Sequence, residues 1–203
     1  MWLLTLGVFP AFGGSRVAPV RLYIHFQQDP PDAVLEAIQE ELSNIMVPAG
    51  MEFDWRSLND TKGNEVSVEL AVIHFKGTCD AEGLSPMDAY PGPLGWTHMS
   101  DGEILPFSDI NCDGVRLFLQ RDLLRVPEPI RPVAYGRAVA RVLAHELYHI
   151  FAKTTKHGGW GVAKPAYTVQ ELLSSKFQFD KKQCDRLREH QEHIALVSGF
   201  AGQ

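Results

Sequence analysis

The chain has 203 residues, 45% of them hydrophobic and 22% charged, which suits one globular domain with a sizeable core. Its formal net charge is −6 and its pI is near 5.7. The residues form no basic patch or stripe, which argues against nucleic acid as a partner.

Met1 to Phe12 is an apolar run followed by Gly13-Gly14-Ser15. It is too short to span a bilayer. Small residues after an apolar run are what a secretory cleavage site requires, although no basic residues precede this one. The expectation is a leader over 1–19 and a secreted or periplasmic location, with a cytoplasmic one as the alternative. Residues 20–203 are then one domain, with an upper part over 20–157 and a smaller C-terminal part over 158–203. Three cysteines are compatible with export: Cys79 and Cys112 flank a loop-rich region and are candidates to pair, leaving Cys184 on a helix face. Three free thiols in the cytosol are the alternative. None has C-x-x-C spacing, which argues against a cysteine zinc site.

Arg21 to Phe26 is β-prone and alternates as a strand does. Pro30-Pro31-Asp32 opens a helix whose stripe is Val34, Leu35, Ile38, Leu42, Ile45 and Met46, and Pro48-Ala49-Gly50 ends it. Strands are expected over Met51 to Trp55 and Val66 to Phe75. Gly77 to Gly114 is rich in Gly, Pro and Asp, with Leu94 to His98 as a short strand within it. Val115 to Leu119 reads as a strand and Arg121 to Arg131 as a connection. A helix is expected over Val133 to Lys153 and a terminal helix over Asp180 to Val197. Strands and helices in this order predict an α+β fold.

Several polar residues invite a site and are read as plain structure. His25 and His74 are single residues within strands, without a partner at ligand spacing, and His190 and His193 lie among Glu189, Gln191 and Glu192 as on a solvated face. Asp101, Asp109 and Asp113 make at most a weak calcium site, because their spacing fits no calcium loop.

The informative stretch is His145-Glu146-Leu147-Tyr148-His149. On a helix, residues four apart share a face, so His145 and His149 aim two imidazoles at one point, which suits zinc. Glu146 is placed to take a proton from a water at the metal rather than to bind the metal. Val139, Val142, Leu143, Leu147 and Ile150 add the apolar spacing of a buried helix. A catalytic zinc normally has three protein ligands. His157, after Ala152 to Lys156, is the first candidate for the third. Glu171 is the second, although Thr168-Val169-Gln170-Glu171 is also a capping-box pattern that would use the Glu to start a helix.

These residues resemble the metzincin clan of zinc metallopeptidases, whose motif H-E-x-x-H-x-x-G-x-x-H lies on a helix followed by a turn, with a methionine-containing turn beneath the metal. His145, Glu146 and His149 match as they stand, and His157 matches with two residues inserted. Ala152 stands where the clan has its glycine. No methionine follows Met99, so the methionine turn is absent or is filled by Leu172 or Leu173. The resemblance implies a zincin-like fold: a mixed twisted β-sheet with an N-terminal helix, an active-site helix and a C-terminal helix. It implies a zinc metalloendopeptidase, with Zn2+ held by His145, His149 and His157 and with Glu146 as general base.

It also implies a peptide or protein substrate, extended along an edge strand at Leu94 to His98. The gluzincins, a second clan with the short motif, would use Glu171 instead of His157. Tyr167 lies where a hydroxyl assists the transition state in some zinc peptidases, and more often such a tyrosine is packing. A reading from another class is an inactive zinc-binding or protein-binding module on the same scaffold. The intact Glu146 argues against it, because a purely structural site needs no base, and structural sites usually take four ligands. The oligomeric state is not legible in these residues.

Overall fold

The computed structural model describes residues 19–85, 90 and 92–200, so almost all of the expected leader over 1–19 lies outside the described residues. Strand β1 (Val20–Gln28) leads into helix α1 (Asp32–Met46), followed by β2 (Phe53–Ser57) and β3 (Leu70–Thr78). Strands β4 (Gly95–Ser100) and β5 (Glu103–Asn111) precede helix α2 (Cys112–Leu123) and the long helix α3 (Arg131–Phe151). A short α4 (Val169–Leu173) and α5 (Lys181–Phe200) complete the chain. The five strands form one sheet in the order β2-β1-β3-β5-β4. All pairs are parallel except β4 with β5, which leaves β4 antiparallel at the edge.

Alternation along the strands decides which face carries the helices. Leu22 of β1 and Ala71, Ile73 and Phe75 of β3 are buried in the main core, while His74 and Lys76 between them are exposed. Val34, Ile38, Leu42 and Ile45 of α1 and Val139, Leu143, Leu147 and Ile150 of α3 join the same core. Arg141, 1% exposed, ties α3 to its neighbours. Its Nε donates to Glu41 of α1 at 2.7 Å, and its Nη1 to the carbonyls of Glu171 and Leu172 at 3.0 and 3.1 Å. A guanidinium suits this seam because its fork of donors can satisfy several acceptors at once. Among the described residues no helix is long and apolar enough to cross a membrane.

Three expectations from the sequence are corrected here. Val115 to Leu119 is not a strand but the middle of α2. The side chain of Asn111 accepts from the Gly114 N–H at 2.9 Å and caps the helix, and Cys112, Val115, Leu119 and Leu123 are buried at helical spacing. Five residues are too few to show that stripe. The missing strand is β5, inside the stretch read as loop. Pro106 falls just before its ladder with β3 begins at Phe107, so the absent N–H costs no bond to β3. Strand β3 also starts later than expected, at Leu70, with Val66 and Val68 left exposed.

Cys79 and Cys112 form a disulfide across a separation of 33 residues, joining the chain just past β3 to the start of α2. Cys184 is free, half-buried and packed against the core. Closing a loop of that length removes unfolded-state entropy worth about 3 to 4 kcal/mol. Unfolding in denaturant with and without reductant should therefore show a stability loss of about that size on reduction.

Candidate metal centre

Helix α3 places the site. Pro132 fits its first turn, where no N–H is needed, and residues 138–151 are buried throughout. His145 and His149 share one face of the last turns, with ring centroids 4.6 Å apart. The helix then has to reverse so that the chain can return. The residue that turns it is Lys153, with φ 45°, a left-handed conformation that costs an L-residue about 1–2 kcal/mol. Four residues later His157 stacks on His145 at 5.2 Å and meets the ring of His149 edge-on at 4.9 Å. Each of the three offers a donor atom, and these atoms lie within 4.8 Å of one another. Among the described residues no other group of three His, Cys, Asp or Glu side chains has this arrangement.

Hydrogen bonds fix the tautomers of the two helical histidines. Nδ1 of His145 donates to the carbonyl of Val162 at 2.8 Å, and Nδ1 of His149 to the carbonyl of Thr154 at 2.6 Å. Carbonyls only accept, so both Nδ1 atoms carry the hydrogen and both Nε2 atoms present lone pairs. These Nε2 atoms face each other at 3.0 Å. Burial, opposed by the Val162 bond, pushes the His145 pKa down to about 4, and burial also lowers that of His149. Both rings are then neutral at pH 7. Two buried lone pairs pointed at each other repel unless a cation lies between them, so the donor set fits a divalent metal such as zinc.

The turn that meets the His145 ring from behind is Gly161–Ala163, through the Val162 carbonyl. Gly161 has φ 64°, and a Cβ there would meet the Gln178 carbonyl at 2.2 Å, so only glycine fits. Val162 and Ala163 are fully buried. The Tyr167 hydroxyl donates to the same Val162 carbonyl and lies 2.8 Å from Nδ1 of His145. Burial holds its phenol above the ordinary range, so it remains a donor. It therefore stands behind the His145 ring, away from Nε2. Tyr167→Phe should weaken zinc affinity about tenfold, as loss of an outer hydrogen bond does, measured by competition with a chromophoric chelator.

Glu146 is 5% exposed and accepts from the Thr97 hydroxyl of β4 at 2.7 Å. Burial pushes its pKa up to about 7, opposed by the Thr97 bond. A cation at the histidines would draw it back down. The carboxylate and the three histidines line a cleft of about 290 Å³, walled on the other side by Trp96, Met99, Ile104 and Pro165. A larger hollow of about 880 Å³ lies around Arg137 and Cys184 and contains none of these groups. We place the site at the smaller cleft because the chemistry is there.

Glu171 does not join the cluster. Its side chain accepts from the Thr168 backbone N–H at 2.8 Å, closing the capping box of α4, and pairs with Lys164. The aspartates suggested for calcium are also spoken for. Asp109 is held by His98 at 2.7 Å and Lys76 at 3.1 Å, and Asp113 by Arg116 at 2.9 Å. His74 meets the ring of His25 edge-on at 5.7 Å on the outer face of the sheet. His193 is exposed, but His190 is half-buried and bonded to Glu69, whose other oxygen accepts from Gln191. His190 is therefore not the solvated histidine read in the sequence: Glu69, just before β3, and the ring of Phe151 enclose it.

An edge strand, a buried helix and three histidines converging at the helix end together describe a zincin-like fold. A solved structure bears this out. The crystal structure of archaemetzincin from Methanopyrus kandleri is similar over 86% of this chain and 96% of that one, with a TM-score of 0.50 and 15% identity. At that identity the likeness is one of fold. No protein-family model matches the sequence, and no curated protein is similar to it at a significant level.

Proposed function

We propose that the chain is a zinc-dependent metallopeptidase of metzincin-like type, an endopeptidase, with His145, His149 and His157 as metal ligands and Glu146 as general base. The observation that carries this reading is the pair of unprotonated Nε2 atoms facing each other, with His157 beside them and a buried carboxylate one residue away. Zinc bound there polarises a peptide carbonyl and lowers the pKa of a water to about 7. The remaining chemistry belongs to the chain. Glu146 takes the proton of the attacking water and passes it to the leaving amine. The Val162 and Thr154 carbonyls keep both rings turned toward the metal.

Strand β4 lies at the sheet edge, and Gly95, Trp96 and Thr97 also line the cleft. An extended peptide would add to that edge by main-chain hydrogen bonds and run past the histidines. The disulfide Cys79–Cys112 supports an oxidising, exported location.

The test is zinc content per chain, with hydrolysis of a casein-type substrate followed on the same sample before and after chelation. One zinc per chain and hydrolysis lost on chelation are expected. Zinc without hydrolysis of a broad peptide library would leave a binding module on this fold, and no zinc would end the reading.

A further inference from the structure

We propose that Thr97 is a positioning residue for Glu146, so that the outermost strand of the sheet sets the direction in which the base faces. This rests on the peptidase reading above.

Alternate residues of a strand point to one side, and here Gly95 and Thr97 both face Glu146. At Gly95 the missing side chain is the space that Glu146 fills. A Cβ there would stand 3.0 Å from its Oε1 and 3.1 Å from its Cγ, with Val142 Cγ1 at 2.9 Å. At Thr97 the contact is a bond rather than a space. The hydroxyl donates to Oε2 at 2.7 Å and lies 3.2 Å from the main-chain carbonyl of the same residue. A hydroxyl has one proton to give. While Glu146 is a carboxylate the proton goes there, and Ser108 of β5, at 2.8 Å and almost fully buried, donates to Thr97 in turn. The order Ser108 to Thr97 to Glu146 uses each proton once.

The same arrangement serves the base after it has taken a proton. The proton from the water lands on Oε1, and Oε2 goes on accepting the Thr97 hydroxyl proton. Oε2 is therefore paired in either state, and the carboxyl group is not required to rotate. One oxygen stays engaged with the strand while Oε1 is left for the water. A peptide pairing with the outer edge of β4 would therefore dock on the strand that also aims the base.

The experiment uses zinc-loaded wild type, Thr97→Val and Thr97→Ser. Valine keeps the volume and removes the hydroxyl, whereas serine restores it. For Thr97→Val we expect one zinc per chain, a KM within about twofold of wild type and a kcat about 10- to 100-fold lower; Thr97→Ser should recover most of that loss. A wild-type kcat in Thr97→Val, or a serine variant no better than the valine one, overturns the proposal. If the wild type holds zinc yet hydrolyses nothing, the peptidase reading fails while this one is still decided by crystal structures of wild type and Thr97→Val. A Glu146 carboxylate that turns away in the valine variant upholds it. The same orientation in both overturns it.

Discussion

Glu146→Gln should keep one zinc per chain and lose peptide hydrolysis by about 10²- to 10⁴-fold, the range that a positioned general base contributes. The amide has the shape of the carboxylate, so it still fills the space beside Gly95. Its oxygen can still accept the Thr97 hydroxyl proton. What it lacks is a basic oxygen to receive the proton of a water. Fold and metal binding are therefore separated from chemistry in one substitution. Burying a neutral amide where a carboxylate was buried also removes a desolvation cost, so the variant should be no less stable than wild type. Zinc content by elemental analysis and kcat on a peptide substrate check it together. Undiminished kcat would remove Glu146 from its assigned role.

His157→Ala and Glu171→Ala form the second contrast. Structural zinc sites contribute roughly 10–16 kcal/mol in total, so losing one of three ligands should cost about 3–5 kcal/mol, or between about 10²-fold and a few thousand-fold in zinc affinity. His157 is exposed, and the main chain on either side of it is held without its ring, by Lys156 N–H to the Thr154 hydroxyl and Gly158 N–H to the Ala163 carbonyl, so the fold should survive its removal. Glu171→Ala opens the capping box of α4 and frees Lys164. It should cost about 0.5–2 kcal/mol of stability and leave zinc affinity unchanged. Chelator competition on both variants decides between the two ligand sets. Loss of zinc in Glu171→Ala with retention in His157→Ala would reverse the assignment.

The parts of the site that lie on one regular element were legible in the sequence. The spacing of His145, Glu146 and His149 reports geometry directly, because a helix converts a separation of four into a shared face. His157 was reachable as a residue but not as a geometry. Its return depends on Lys153 adopting a left-handed conformation, which no lysine announces, whereas a glycine would have. The turn behind the His145 ring was missed for a related reason. Its glycine, Gly161, sits among Gly158 and Gly159, and the residue that acts, Val162, does so through a carbonyl that every residue possesses. Thr97 was passed over because its partner is 49 positions away. Strand β5 was hidden by Pro106 and by the polar Ser108, Asp109 and Asn111, of which the first two are buried by pairing partners rather than by apolar character.

The segment from Ala152 to Val162 contains no α-helix or strand and ends in the single 3-10 turn Gly161–Ala163. Two imidazole N–H groups grip its main chain at Thr154 and Val162, one near each end. An ion on Nε2 would reinforce both bonds, because it leaves the proton on Nδ1. The ion would thus act as a clasp on eleven residues of backbone as well as on a substrate. Once it is withdrawn, the segment keeps those two hydrogen bonds but loses the constraint that the ion places on the rings. The metal-free protein would then be cut more readily between Ala152 and Val162 than the zinc-loaded one.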